Sequence, residues 1–219
     1  QPESIATILK CLEDAGFESA WTGEHVVVID PQEPPSPVPP LFPMLDTVAT
    51  LSFAAALTTR LKLGSGIILL AQRNPVVLAK ELSSIDVLSN GRLIFGVGVG
   101  YVKTEFDVIG VPYEERGART SEHIEAIRAL WTQEKPVFDG RFTQISGVQS
   151  KPSPVQVPHP PIIIGGGSPA AFRRTIAHGD GWYGFNQSEE DTVSAIAGLR
   201  TAAQAADRAE RFDELEISI

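Results

Sequence analysis

Apolar residues Ile5, Ile8, Leu9, Leu12 and Ala15 recur at helical spacing over residues 2–15, and Gly16 ends the stretch. The period then changes, and Phe17–Val28 (FESAWTGEHVVV) reads as a strand, clearest over 20–28. Residues 43–57 are rich in Ala and Leu and read as helix. Residues 60–70 (RLKLGSGIILL) form an apolar run with two internal glycines, the pattern of a buried strand. Asn74-Pro75 supplies an N-cap and a first-turn proline for a helix that reaches Leu88 and stops at Asn90-Gly91. Residues 92–98 (RLIFGVG) are the next strand, and helical pattern fills 103–109 and 116–132. Phe138, Gly140 and Phe142, with the prolines of 136–160, predict a short hairpin and a crossing loop inserted before the next strand. Strands at 161–165, 181–185 and 215–219 alternate with helices at 168–178 and 189–211.

Strands apolar throughout and separated by helices imply a parallel sheet covered on its outer face. The pattern starts with a helix and ends with a strand. Adding one strand before residue 1 and a helix–strand–helix after residue 219 completes an eightfold pattern. The fold expected is therefore an α/β (β/α)8 barrel of the TIM type, incomplete in the sequence as given and forming a single domain over 1–219. An open doubly wound sheet would carry a glycine-rich dinucleotide turn after its first strand, and the sequence has none. Residues 30–43 hold seven of the chain's 17 prolines. They cannot form regular structure, and their length suggests a lid or binding loop. The chain begins at Gln1 in a helical pattern, so no preceding segment is expected, and a signal peptide cannot be assessed.

The 219 residues carry a net charge of −9. Nucleic acids and anionic membranes select for basic patches, so neither is an expected partner. No apolar run approaches the ~18 residues that a membrane span needs. The single cysteine, Cys11, excludes an internal disulfide and multi-cysteine metal sites and fits a reducing, cytoplasmic setting. The partners expected are a small-molecule substrate and, as a homodimer, a second copy of the chain.

Four constellations could carry chemistry. Gly165-Gly166-Gly167-Ser168-Pro169 ends a strand and opens a helix. Three glycines let backbone N–H groups reach an anion, and the helix dipole favours negative charge. The alternative is a tight turn with ordinary capping. Gly96-Val97-Gly98-Val99-Gly100-Tyr101 ends another strand and fits neither G-x-G-x-x-G nor the P-loop. Its glycines suit either a flat ring lying on backbone or a crowded barrel interior. Glu24-His25 lies near the end of the first strand, where barrels place their chemistry. A histidine there can exchange protons near neutral pH, or can simply be bonded to Glu24 or to backbone. Flat strand geometry would point Glu24 and His25 to opposite faces, so another residue would have to orient the imidazole. Gly64-Ser65-Gly66-Ile67 interrupts an apolar strand, as a bulge or a packing glycine would. His123, His159 and His178 are weaker candidates, and no spacing suggests a metal site or a hydrolase elbow.

The stretches FESAWTGEH, LTTRLKLGSGIILLAQRNPVVLAKELSSIDVLSNGRLIFGVGVGYVKTEF, RGARTSEHIEAIRALW and PPIIIGGGSPAAFRRTIAHGDGW resemble the bacterial luciferase-like flavin and deazaflavin oxidoreductases. The resemblance runs from about residue 12 to 185 and rests on the order and spacing of the motifs together. It implies the barrel and a cofactor phosphate site at Gly165, Gly166, Gly167 and Ser168. It also implies a ring site lined by Gly66, Ile67, Val99, Gly100 and Tyr101. A non-proline cis peptide behind the ring maps to Gly66–Ile67, and an acid–base residue maps to His25. RNPVVLAK to GVGVGY looks most like the branch using coenzyme F-420, a deazaflavin. Hydride transfer between that cofactor and a small organic substrate is the expected activity. A reduced-FMN monooxygenase is the alternative, and a non-catalytic relative of the fold a third.

Overall fold

The computed structural model describes residues 2–219. Helix α1 (Pro2–Asp14) precedes β1 (Ser19–Thr22), and a long irregular stretch leads to α2 (Thr47–Leu57). Strands β2 (Lys62–Ser65) and β3 (Ile68–Leu69) follow, then α3 (Pro75–Leu88) and β4 (Leu93–Gly98). Helices α4 (Lys103–Ile109) and α5 (Arg116–Thr132) lead to a hairpin of β5 (Phe138–Asp139) and β6 (Gln144–Ile145). The chain continues through β7 (Ile162–Gly165), α6 (Pro169–His178), β8 (Gly181–Tyr183), α7 (Glu189–Ala205), α8 (Glu210–Asp213) and β9 (Glu216–Ser218).

The main sheet runs β1-β2-β4-β7-β8-β9, with β3 also on β4, and every pairing in it is parallel. A doubly wound sheet reverses its strand order at a switch point. Here each strand joins in chain order, so the sheet curls one way as a half-barrel, and the barrel reading holds. Alternate residues face opposite sides. Leu63, Phe95, Val97, Ile162 and Ile164 point outward into a core with Leu51, Leu78, Leu82, Ile124 and Ile127 of the helices. Trp182 packs with Phe172, Ile176 and Leu199 in a second cluster beneath α6 and α7. Side-chain caps start four helices: Asp46 for α2, Asn74 for α3, Ser168 for α6 and Ser188 for α7.

Several boundaries differ from the sequence pattern. The strand expected to reach Val28 stops at Thr22. Its neighbour β2 ends at the partnered Ser65, so Gly23 onward has no ladder to join. The strand expected over 60–70 is divided at Gly66–Ile67, whose peptide bond is cis as the resemblance implied. The helix expected from 43 starts at Thr47, behind the Asp46 cap. The long helix expected to 211 ends at Ala205. Asp207 adopts a left-handed conformation there, and α8 forms separately. The hairpin at 138–145 is present and folds back on α5. Glu122 accepts the backbone N–H groups of Arg141, Phe142 and Thr143. No helix among the described residues is long and apolar enough to cross a membrane.

Candidate active site

The carboxyl ends of the parallel strands gather on one rim. β1 delivers Gly23, Glu24 and His25 there, β2 delivers Gly66 and Ile67, β4 leads to Val99–Tyr101, and β7 leads to Gly166–Ser168. Past the end of β1 the chain turns away, which separates Glu24 from His25. Glu24 is buried and accepts the Leu69 N–H at 2.7 Å and a guanidinium N–H of Arg73. His25 goes to a different carboxylate. Its Nδ1 lies 3.3 Å from Glu105 Oε2, and the other oxygen of Glu105 accepts the Val26 N–H at 2.7 Å.

The electrostatics of that pair set its chemistry. Glu105 has a fully buried side chain, while the His25 side chain is 12% exposed. Burial pushes the Glu105 pKa up, but the hydrogen bonds from His25 and Val26 and the His25 charge outweigh it, leaving it below 4.5. An ionised carboxylate only accepts, so the proton between the two residues sits on His25 Nδ1. In the neutral imidazole Nε2 then carries the lone pair, and it has no protein partner among the described residues. The Tyr101 ring stands edge-on to the imidazole, with centroids 5.9 Å apart. Gly100 adopts a left-handed conformation at φ +79°, and a Cβ there would strike the Phe106 ring, so packing alone accounts for that glycine.

A second group of residues lies inside the curl. Ile67 turns its side chain inward and fills the space where Gly98 and Gly165 lack a Cβ. Trp21 stacks on Tyr183 with centroids 5.0 Å apart and rings 3° from parallel. The Tyr183 hydroxyl lies 3.6 Å from where a Gly66 Cβ would stand. That ring pair and the Gly66–Ile67 bulge form a flat, largely apolar wall.

The Gly165–Ser168 turn separates into three roles. Gly165 is needed because Ile67 occupies its side-chain space. Gly166 has φ +111°, which other residues rarely adopt. Gly167 has neither constraint, and nothing lies within 4 Å of its missing Cβ. Ser168 Oγ caps the Ala171 N–H, whereas the Gly167 and Ser168 N–H groups have no protein acceptor among the described residues. Open space, free N–H groups and the N-terminus of a ten-residue helix fit a phosphate.

The profile of the luciferase-like monooxygenase family matches residues 1–218. The chain belongs to that family. An uncharacterised protein of Mycobacterium tuberculosis is 38% identical over 139 residues, covering 63% of this chain and 49% of its own length. An FMNH2-dependent dimethylsulfone monooxygenase of Pseudomonas putida is 36% identical over 136 residues, covering 60% of this chain and 37% of its own length. The chain thus spans about half or less of the length of these two relatives. Among solved structures, an F-420-dependent secondary alcohol dehydrogenase in complex with an F-420–acetone adduct superposes with a TM-score of 0.81. It has 19% identity and covers 99% of this chain and 64% of its own, a likeness of fold.

Within the luciferase-like half-barrel, the candidate residues fall into two groups along the rim. His25 and Tyr101 stand together, and Ile67 packs between Gly98 and Gly165, linking the bulge to the glycine turn. Glu24 does not partner His25. The missed residue is Glu105, whose signal was present. Val102, Glu105, Phe106 and Ile109 fall at i, i+3, i+4 and i+7, so an acid sits on the buried stripe. The other histidines are held by partners within the protein. His123 is buried with Nδ1 3.2 Å from the Leu70 carbonyl, and burial lowers its pKa. His159 faces the Pro160 carbonyl and Arg128, and His178 pairs with Glu125 at 2.7 Å. A crevice of about 480 Å³ lies beside the rim, between the start of α3, α5 and the hairpin. It contains none of His25, Gly66 or Gly166. Among the described residues, no cluster of His, Cys, Asp and Glu could hold a metal ion.

Proposed function

We propose that this chain carries the cofactor and proton-transfer half of a luciferase-like oxidoreductase that moves a hydride between coenzyme F-420 and a small organic substrate. The observation that supports it is the His25–Glu105 pair. A buried, ionised carboxylate fixes the imidazole proton on Nδ1 and leaves Nε2 as an acceptor at the rim. Gly166, Gly167 and Ser168, with the start of α6, would hold the cofactor phosphate, and Gly66, Ile67, Val99, Gly100 and Tyr101 its ring. When bound, the deazaflavin gives or takes the hydride.

The protein must handle the proton that accompanies that hydride. In the oxidation of an alcohol, His25 Nε2 takes the hydroxyl proton, and Glu105 stabilises the imidazolium that forms. In the reverse reaction the imidazolium returns the proton to the carbonyl oxygen. The Trp21–Tyr183 wall would shield one side of the cofactor ring site from water, and the Tyr183 hydroxyl lies beside Gly66. The 36% identity to an FMNH2-dependent monooxygenase favours a second reading, in which the same rim takes reduced FMN.

Titrating the protein with each cofactor, oxidised and reduced, and following absorbance and fluorescence separates the two. Tight binding of F-420 with substrate-dependent bleaching of its visible band supports the first reading. Binding of FMN alone overturns it. His25→Ala should keep cofactor binding and slow turnover ~10²–10⁴-fold, the usual contribution of acid–base catalysis. Turnover within a factor of two of the parent removes His25 from the chemistry.

A further inference from the structure

We propose that Arg73 is the clasp of the proline-rich loop and, through Glu24, a positioning residue for His25; the second half rests on the His25 reading above. One guanidinium nitrogen, Nη2, reaches both Glu24 Oε1 and, at 2.6 Å, Asp46 Oδ2. Those two carboxylates stand at opposite ends of the irregular stretch between β1 and α2. Each also has its second oxygen committed. Glu24 Oε2 accepts the Leu69 N–H at 2.7 Å, and Asp46 Oδ1 accepts the Ala49 N–H at 2.9 Å as the α2 cap. Arg73 itself sits in the turn between β3 and α3, next to the Asn74 cap. A single side chain thereby joins the loop's beginning, its end and the rigid rim.

The burial of these groups makes the joint consequential. The Glu24 side chain is 3% exposed and that of Arg73 is 18% exposed. A buried carboxylate stripped of its cation is costly, so it moves toward water if the chain allows. Glu24 is followed directly by His25, and no strand pairing restrains the backbone there. Glu24 swinging outward therefore carries His25 away from Glu105, which is fixed on α4. Beyond Arg73, the ends are joined by the Thr47 hydroxyl on the Gly23 carbonyl at 2.8 Å. The Val26 N–H on Glu105 is the bond that reports whether the first residues of the loop stay in place.

Hydrogen exchange and imidazole NMR on the protein without cofactor test this, so the result does not depend on which cofactor the rim takes. In Arg73→Met, exchange at the Val26, Leu69 and Ala49 amides should quicken at least ~10-fold while β4 and α5 amides keep their protection. The downfield His25 Nδ1–H signal should disappear. Arg73→Lys should bring exchange back to within about threefold, because one nitrogen serves both carboxylates and an ammonium can replace it. Asp46→Asn, at the more exposed end, should loosen Ala49 and leave Val26 protected, and it remains informative if Arg73→Met does not fold. Unchanged exchange at Val26 and Leu69 in Arg73→Met overturns the clasp. Faster exchange with the His25 signal intact overturns the positioning role. Failure of F-420 to bind the parent protein bears on the proposed reaction and leaves these outcomes to be decided separately.

Discussion

Glu105→Gln is the sharpest perturbation of the proposed chemistry, because it preserves shape and changes only charge and hydrogen-bond sense. The carboxylate accepts from both the Val26 N–H and His25 Nδ1. An amide has one acceptor. If its oxygen keeps the Val26 bond, its NH2 faces His25 Nδ1 and the imidazole proton moves to Nε2, which removes the base. If the amide turns round, two donors meet at Val26. At 3.3 Å, a carboxylate and an imidazolium attract by about 5 kcal/mol at an effective dielectric of ~20, an upper bound worth ~10³–10⁴ in rate. A hydrogen bond to a charged group, about 1.5–3 kcal/mol net, gives the lower bound of ~10–10². Turnover should therefore fall ~10–10⁴-fold at saturating cofactor and substrate, with cofactor affinity within a factor of three. The assay is steady-state turnover from pH 5 to 9, paired with a cofactor titration at each pH. Turnover within threefold of the parent, with cofactor still bound, would refute the role of the carboxylate.

Other expectations concern the turn, the wall and acid stability. Gly167→Ala should leave the melting temperature unchanged, since its Cβ enters open space, and should weaken cofactor binding. Gly166→Asp should abolish binding, by placing a carboxylate at the phosphate and by straining a turn held at φ +111°, and unchanged affinity in both variants would make the turn purely structural. Gly98→Ala puts a Cβ 1.9 Å from Ile67 Cδ1 and should cost about 1–3 kcal/mol in urea denaturation, or less if Ile67 finds another rotamer. The Arg60, Leu61 and Thr59 N–H groups hold the Glu13 pKa down to about 2 from 4.5. Its contribution to stability is complete above pH 4.5 and disappears as pH falls toward 2. Glu13→Gln should therefore flatten the loss of stability across that window, and an acid-unfolding curve parallel to the parent's would contradict this.

Much of the architecture was written in local pattern. Alternating apolar strands and helices, Asn74-Pro75 and Ser168-Pro169 at helix starts, and glycines inside strands each act within a few residues, so they read correctly without a fold. The glycine turn at 165–168 and His25 at the rim were legible for the same reason. What the pattern could not supply was pairing. FESAWTGEHVVV has strand composition to its end, yet a strand exists only where a neighbour offers a ladder, and β2 stops at Ser65. Glu24 and Glu105 are both acids with a claim on His25, one adjacent and the other 80 residues away. The chain's turn after Thr22 gave His25 to the distant one and Glu24 to Arg73. The Trp21–Tyr183 stack likewise joins strands β1 and β8, which are far apart in sequence and meet only because the sheet curls. The sequence by itself determined the order of helices and strands and which turns expose backbone N–H groups, because those preferences are local. Which carboxylate holds the imidazole, and which cation ties the loop, were decided only by tertiary structure, since burial and distance set the worth of a charge.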